Sequence, residues 1–172
     1  MTNPPAGDAV ADMFNAHAPA LVLYARQWVG AAAAEDVVQR VFARLLSDLA
    51  AAGRLPDDPR TWLFRCVRNE AVTAWRADRR RDRRERAAGA AAAGWFAPRP
   101  DDRIDARAAE AALAALPPVQ REVVTLRIWS GLTLAQTAAV TGLAVSSVHY
   151  HYAAALAALR SRLESPCPNP KT

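Results

Sequence analysis

The stretch from Leu132 to Leu163 constrains this chain more than any other. It reads Leu-Thr-Leu-Ala-Gln-Thr-Ala-Ala-Val-Thr-Gly-Leu-Ala-Val-Ser-Ser-Val-His-Tyr-His-Tyr and then continues in alanine and leucine. Thr133 and Gln136 stand three apart, the spacing of a capping box at a helix start. Ala138 falls where two helices must approach closely. Gly142 follows four residues on, where a tight turn needs positive φ. Val148 comes six residues later, where a second helix must bury an apolar anchor. This order describes a helix-turn-helix, whose second helix normally enters a DNA major groove. DNA is therefore the first partner the sequence implies.

The 172 residues suffice for one ordinary domain or two small ones, and a composition break favours two. Alanine, leucine and arginine dominate and no good alternating strand occurs, so the fold expected is all-α. It consists of two small helical domains joined by a flexible linker, the C-terminal one a helix-turn-helix. The net charge is +5, and Lys171 is the only lysine. Arginine suits phosphate because its planar fork binds two oxygens at once. Cys66 lies within an apolar helix pattern and Cys167 in a Pro-rich tail, which reads as a buried small hydrophobe and a free thiol. There is no signal-peptide pattern and no run near the roughly 20 apolar residues that span a bilayer, so a cytoplasmic protein without membrane insertion is expected.

Residues 1–7 are polar and Pro-rich and read as a disordered N-terminus. A short helix is expected over Asp8–His17, then a second one beginning around Pro19 and running to Trp28, with Gly30 as its stop. Leu21, Tyr24, Ala25 and Trp28 are its apolar positions. The next helix starts near Ala32. Val37, Val38, Val41, Phe42, Leu45, Leu46 and Leu49 form one core-facing stripe, with Glu35, Asp36, Gln39, Arg40, Arg44 and Ser47 on the far side. The loop Gly53–Arg60 precedes a long helix capped by Asp58, with Pro59 in first position. Its core band is Trp62, Leu63, Cys66, Val67, Glu70, Ala71 and Ala74, while Arg65, Arg68, Val72, Arg76 and Arg79 share another face. From Arg60 to Arg86 there are ten arginines against four acids.

The first domain thus covers residues 8–86, and an Ala/Gly/Pro-rich linker covers 87–103. Trp95 and Phe96 in that linker either dock onto a neighbouring domain or contact a partner. The second domain covers 104–164: a helix ending at Leu116, a helix carrying Val119, Val123, Val124, Leu126, Ile128 and Trp129 and closed by Gly131, then the helix-turn-helix. Residues 165–172 form a disordered tail.

A basic helix and a separate helix-turn-helix suggest two DNA contacts, phosphates giving affinity and base edges specificity. Trp62 and Trp75 are each either core or a stacking platform for an unpaired base. Tyr150 and His151 suit base edges or phosphate, and Tyr152, four residues from Val148, suits the core. His149 and His151 point to different helix faces, and nothing completes a metal site with them. No catalytic constellation is visible, so the chain reads as a non-enzyme without a cofactor.

Three segments resemble the bacterial sigma factors of RNA polymerase. Ala34-Glu35-Asp36-Val37-Val38-Gln39-Arg40-Val41-Phe42 resembles their "A-E-D-hydrophobic-V-Q-x-x-F" helix. Trp62-Leu63-Phe64-Arg65-Cys66-Val67-Arg68-Asn69-Glu70-Ala71 resembles their "W-L-hydrophobic-x-x-x-R-N-x-A" helix. Leu116-Pro117-Pro118-Val119-Gln120-Arg121-Glu122-Val123-Val124-Thr125-Leu126-Arg127, with Gly131-Leu132-Thr133, is similar to the segment before their helix-turn-helix. In this order the motifs point to the two-domain extracytoplasmic-function (ECF) subgroup of the sigma-70 superfamily.

The resemblance implies a transcription initiation factor that binds polymerase core through Asp36, Gln39, Arg40 and Arg44. It implies that the melted −10 strand is held by Arg54, Arg60, Arg65, Arg68, Asn69, Trp75, Arg76, Arg79 and Arg80. It implies −35 recognition by Ser146, Ser147, His149, Tyr150 and His151, and leaves room for an anti-sigma partner; the free protein would be a monomer. Two departures stand out. Arg40 occupies a position where the family usually has an acid. The recognition helix lacks the usual lysines and arginines, and residues 104–164 hold five arginines against four acids. A regulator independent of polymerase, or a degenerate sigma-like interaction module, are the alternative readings.

Overall fold

A computed structural model describes residues 6–85, 109 and 111–164. These are helical with intervening turns, without strands, and fall into two compact units, the first holding the helices up to Glu85. Of the N-terminal segment 1–7 expected to be disordered, residues 1–5 lie outside the described residues, as do the linker 87–103 with Trp95 and Phe96 and the tail 165–172 with Cys167.

The first domain is three helices: α1 (Ala6–Ala25), α2 (Ala31–Ala52) and α3 (Pro59–Glu85). α1 packs on α2 and α3, and α2 packs on α3. The expected break at Pro19 does not occur; α1 runs through it, and Ala6 and Gly7 are already helical. An interior proline loses one backbone bond and costs about 3 kcal/mol. Here Val10 before it and Leu21 and Tyr24 after it are all buried on one register, so tertiary burial overrides the local penalty. The helix stops at Ala25, and Trp28 and Val29 donate back to the Ala25 carbonyl in a turn. Gly30 ends nothing: with φ −64° it is the N-cap of α2, and its carbonyl accepts from Ala34 N.

Val37, Val38, Val41, Phe42 and Leu45 are buried as expected, together with Ala34. Leu46 is not; it is 46% exposed and lines an apolar groove of about 310 Å³ with Val10, Phe14 and Phe42. Gly53, with φ +69°, closes α2 by donating to the Leu49 carbonyl, a conformation that other residues rarely adopt. Asp58 caps α3 as its sequence predicts: its carboxylate accepts from Thr61 N at 3.0 Å and Thr61 Oγ1 at 2.7 Å. Leu63, Phe64, Val67 and Ala71 are the buried face of α3. Phe64 is absent from the sequence-derived band, whereas Trp62, Cys66, Glu70 and Ala74 are only half-buried. Tyr24 makes the difference, because its ring meets Phe64 edge-on at 5.5 Å and so rotates the core face of α3 toward α1.

The second domain contains α4 (residues 111–114 of its course), α5 (Pro118–Val124), a π-helical turn (Thr125–Trp129), α6 (Leu134–Thr141) and α7 (Val145–Glu164). The π turn carries one extra residue per turn and shifts the helical phase after Val124. Val123, Val124 and Leu126 are buried accordingly, while Ile128 is 47% exposed and Trp129 36%, against the expectation of one continuous apolar helix. Ala138 and Val148 pack together with Val123, and Gly142 makes the turn at φ +76°. The capping box forms reciprocally: Thr133 N donates to Gln136 Oε1 at 2.9 Å, and Gln136 N to Thr133 Oγ1 at 3.1 Å. Tyr152 is half-buried and packs against both core clusters of this domain.

Arg121 lies across the end of α4. It donates to the carbonyls of Leu113 at 3.1 Å, Ala114 at 2.7 Å and Leu116 at 3.1 Å. Those are the orphan acceptors of a helix C-terminus. Arg121→Met is expected to destabilise the chain by about 2–3 kcal/mol, the value of losing charged hydrogen bonds to partly buried acceptors. Urea unfolding followed by circular dichroism measures this; a change under about 0.5 kcal/mol would mean that the clamp carries no load.

Candidate nucleic-acid interfaces

On α3 the residues opposite Leu63, Phe64 and Val67 form a cationic arc, as a helix of 3.6 residues per turn requires. Arg65, Asn69, Arg76 and Arg80 are exposed along one edge. Arg68, half-buried, and Trp75 and Arg79, exposed, follow the other. Trp75 is 37% exposed, and the Arg79 guanidinium covers its ring at 5.2 Å. A flat cation over a half-open indole is a surface on which an unpaired base can stack, and the flanking guanidiniums can take its phosphates.

Two of the residues that the resemblance assigns to the −10 strand, Arg54 and Arg60, lie off the α3 arc. Arg54 is in the loop before α3, paired with Asp57 at 3.3 Å. Arg60 is half-buried in the first turn of α3. Burial, and then the Arg60 guanidinium nearby, hold His17 below the usual imidazole range. The resemblance, not the spacing of arginines along α3, assigns Arg60 to the −10 set; half-buried in the first turn of α3, it lies off the exposed arc. Cys66, half-buried beneath the arc, has its thiol pushed up by burial.

Asp36, Gln39, Arg40 and Arg44 are all exposed on α2. Arg44 pairs with Asp48 one turn on, at 3.6 Å. Arg40 Nε donates to Glu70 Oε2 at 3.1 Å and ties α2 to α3 at the rim of a notch of about 420 Å³, shared with Asn69, Thr73 and Ala77. Nothing in the sequence pairs residues 40 and 70; only the packing of α2 on α3 does so.

On α7, Ser146, His149 and Tyr150 are exposed, Tyr150 most of all at 68%. Ser147 and His151 are half-buried, and the His151 ring meets that of Tyr150 at 5.4 Å. The turn before the helix-turn-helix is held by Arg127, which donates to the Leu132 carbonyl and lies over the Tyr152 ring at 5.4 Å.

A cation-lined helix in one domain and an exposed recognition helix in another define a helical nucleic-acid-binding protein. Residues 13–81 match the family Sigma-70 region 2, and residues 106–159 match the family Sigma-70, region 4. The chain belongs to the sigma-70 family of sigma factors, with region 2 and region 4 both present. Sigma factors bind RNA polymerase core and promoter DNA and are not enzymes. The fold is similar to that of the sigma factor RpoE of Bartonella quintana in complex with the anti-sigma factor NepR, with 23% identity and a TM-score of 0.74 over 91% of this chain and 98% of that one. It is also similar to CnrH in complex with the cytosolic domain of CnrY, with 25% identity and a TM-score of 0.64 over 94% of this chain and 91% of that one. No curated protein matches the sequence. Among the described residues, no helix is long and apolar enough to cross a membrane.

The Arg40–Glu70 pair is solvent-exposed, with side-chain exposures of 55% and 33%. Exposed pairs contribute about 0–1 kcal/mol. Glu70→Gln is therefore expected to leave unfolding free energy within about 1 kcal/mol of the parent. A loss of several kcal/mol in urea titration would instead make the pair a structural strut.

Proposed function

We propose that the two domains divide promoter recognition, the first holding the melted −10 strand on the α3 arc and the second meeting the −35 element with α7. The observation that carries this reading is the cationic–aromatic arc of Arg65, Arg68, Asn69, Trp75, Arg76, Arg79 and Arg80, turned away from the core. Arg54 at the loop extends that surface, and Arg60, turned toward His17, is left out of it. The exposed α2 face of Asp36, Gln39, Arg40 and Arg44 docks on polymerase core. Ser146, His149 and Tyr150 face the −35 bases, with Ser147 and His151 at the edge of the contact. The domain limits are 8–86 and 104–164, joined by 87–103. The protein is monomeric when free and works in the cytoplasm, where core polymerase is. An anti-sigma factor restrains it; the complex of the RpoE structure with NepR supports this.

Adding the purified chain to core polymerase tests the division. Arg65→Glu with Arg76→Glu alters only exposed side chains, so core binding should persist while open-complex formation falls at least tenfold. Asp36→Arg should do the reverse and weaken holoenzyme assembly. Unchanged promoter opening in the first variant would remove the arc from strand capture, and unchanged affinity for core in the second would remove α2 from the interface.

A further inference from the structure

Residues 104–164 contain five arginines, and four of them are among the described residues. Two are turned inward. Arg121 clamps the end of α4, and Arg127 is spent on the Leu132 carbonyl and the Tyr152 ring. The exposed remainder, Arg160 and Arg162, lies far along α7. Arg160 is fifteen residues beyond Val145, about 22 Å along the axis at 1.5 Å per residue. The one amide side chain of α6, Gln136, accepts from Thr133 N in the capping box. From Val145 to Leu159, α7 has no Arg, Lys, Asn, Gln, Asp or Glu at all.

Bases are told apart in the major groove chiefly by bidentate or charged side chains, since serine and threonine bond to several bases alike. Arginine or lysine reads guanine O6 and N7, asparagine or glutamine reads adenine N6 and N7, and an acid reads cytosine N4. None of these is available on the groove-facing part of this helix. What it exposes instead is Val145 at 48%, Tyr150 at 68%, Ala153, and the polar tips of Ser146 and His149. The one base-edge group in the major groove that rewards an apolar side chain is the C5 methyl of thymine.

We propose that α7 selects its upstream element through thymine methyl groups, packed against Val145, Tyr150 and Ala153, and not through bidentate contacts to guanine or adenine. The inference rests on the reading of α7 as the −35 contact. It has an electrostatic corollary. Specific binding by this domain releases few counterions, because two distal arginines are its only exposed cationic side chains among the described residues.

The test uses the full chain assembled with core polymerase. Duplexes with a constant −10 region and a randomised upstream segment are enriched for binding. The thymines of the enriched segment are then replaced by deoxyuridine, which removes only the methyl. Each contacted methyl should cost about fourfold in affinity, the value of one buried methylene-sized group. Replacing guanine by 7-deazaguanine, which removes the N7 acceptor, should cost less than twofold. Tyr150→Ser should lose affinity for the thymine duplex without adding to the loss on deoxyuridine at the position it contacts, since contacting partners are not additive. Adding the enriched segment to the template should steepen the salt dependence by no more than about two ions. Enrichment of an upstream sequence indifferent to deoxyuridine but sensitive to 7-deazaguanine overturns the inference and leaves the −35 reading standing. No upstream enrichment, with −10 opening intact, overturns both and hands the aromatic surface to a protein partner.

Discussion

The rotation of α3 about its own axis is the constraint on which the first domain depends. Phe64 against Tyr24, with Leu63, Val67 and Ala71 buried beside it, sets that rotation. Fixing four side chains on one face leaves no freedom for the rest, because each residue advances a set angle around the helix. Arg65, Arg76, Arg79 and Arg80 are therefore held in water, where their charge costs no desolvation and remains available to phosphate. A rotation by one residue would carry the arginines toward α1 and α2 and expose the aromatic core. The exposure of this cationic face is thus a consequence of how the apolar face packs.

The second domain uses its arginines in the opposite way. Arg121 and Arg127, the latter within the π turn, tie helix ends and turns together through backbone carbonyls. The partly buried Arg121 guanidinium is justified by its three hydrogen bonds, since an unpaired one would be costly. The consequence is a recognition helix positioned by arginine yet carrying none in its first fifteen residues. In this molecule the two domains divide charge: exposed arginines crowd α3 of the first, and the first fifteen residues of α7 in the second carry none.

Much of this was legible in the chain. Periodicity marked α2 and α3, Asp58 and Thr133 announced their caps, and Gly142 announced a turn that needs positive φ. What failed did so for tertiary reasons. Pro19 looked like a break because local cost is visible and the burial that offsets it is not. Gly30 looked like a stop, but its φ of −64° makes it a start. Leu46 belonged to the stripe by spacing and lies exposed at a groove, and Phe64 escaped the band because its partner Tyr24 is forty residues away. Ile128 and Trp129 were assigned to a regular helix that a π turn interrupts.

The sequence by itself determined the all-helical class, the two-domain order, the family and the concentration of arginine on α3, because these follow from composition, short-range periodicity and local capping. Only the tertiary structure decided which arginines face outward. Arg40 meets Glu70, Arg60 turns toward His17, and Arg121 and Arg127 close on backbone carbonyls, whereas Arg65 and Arg76 are left to solvent. A guanidinium has the same chemistry in every one of these places. Its role is set by which helix packs beside it, and that information lies in contacts between residues far apart in the chain.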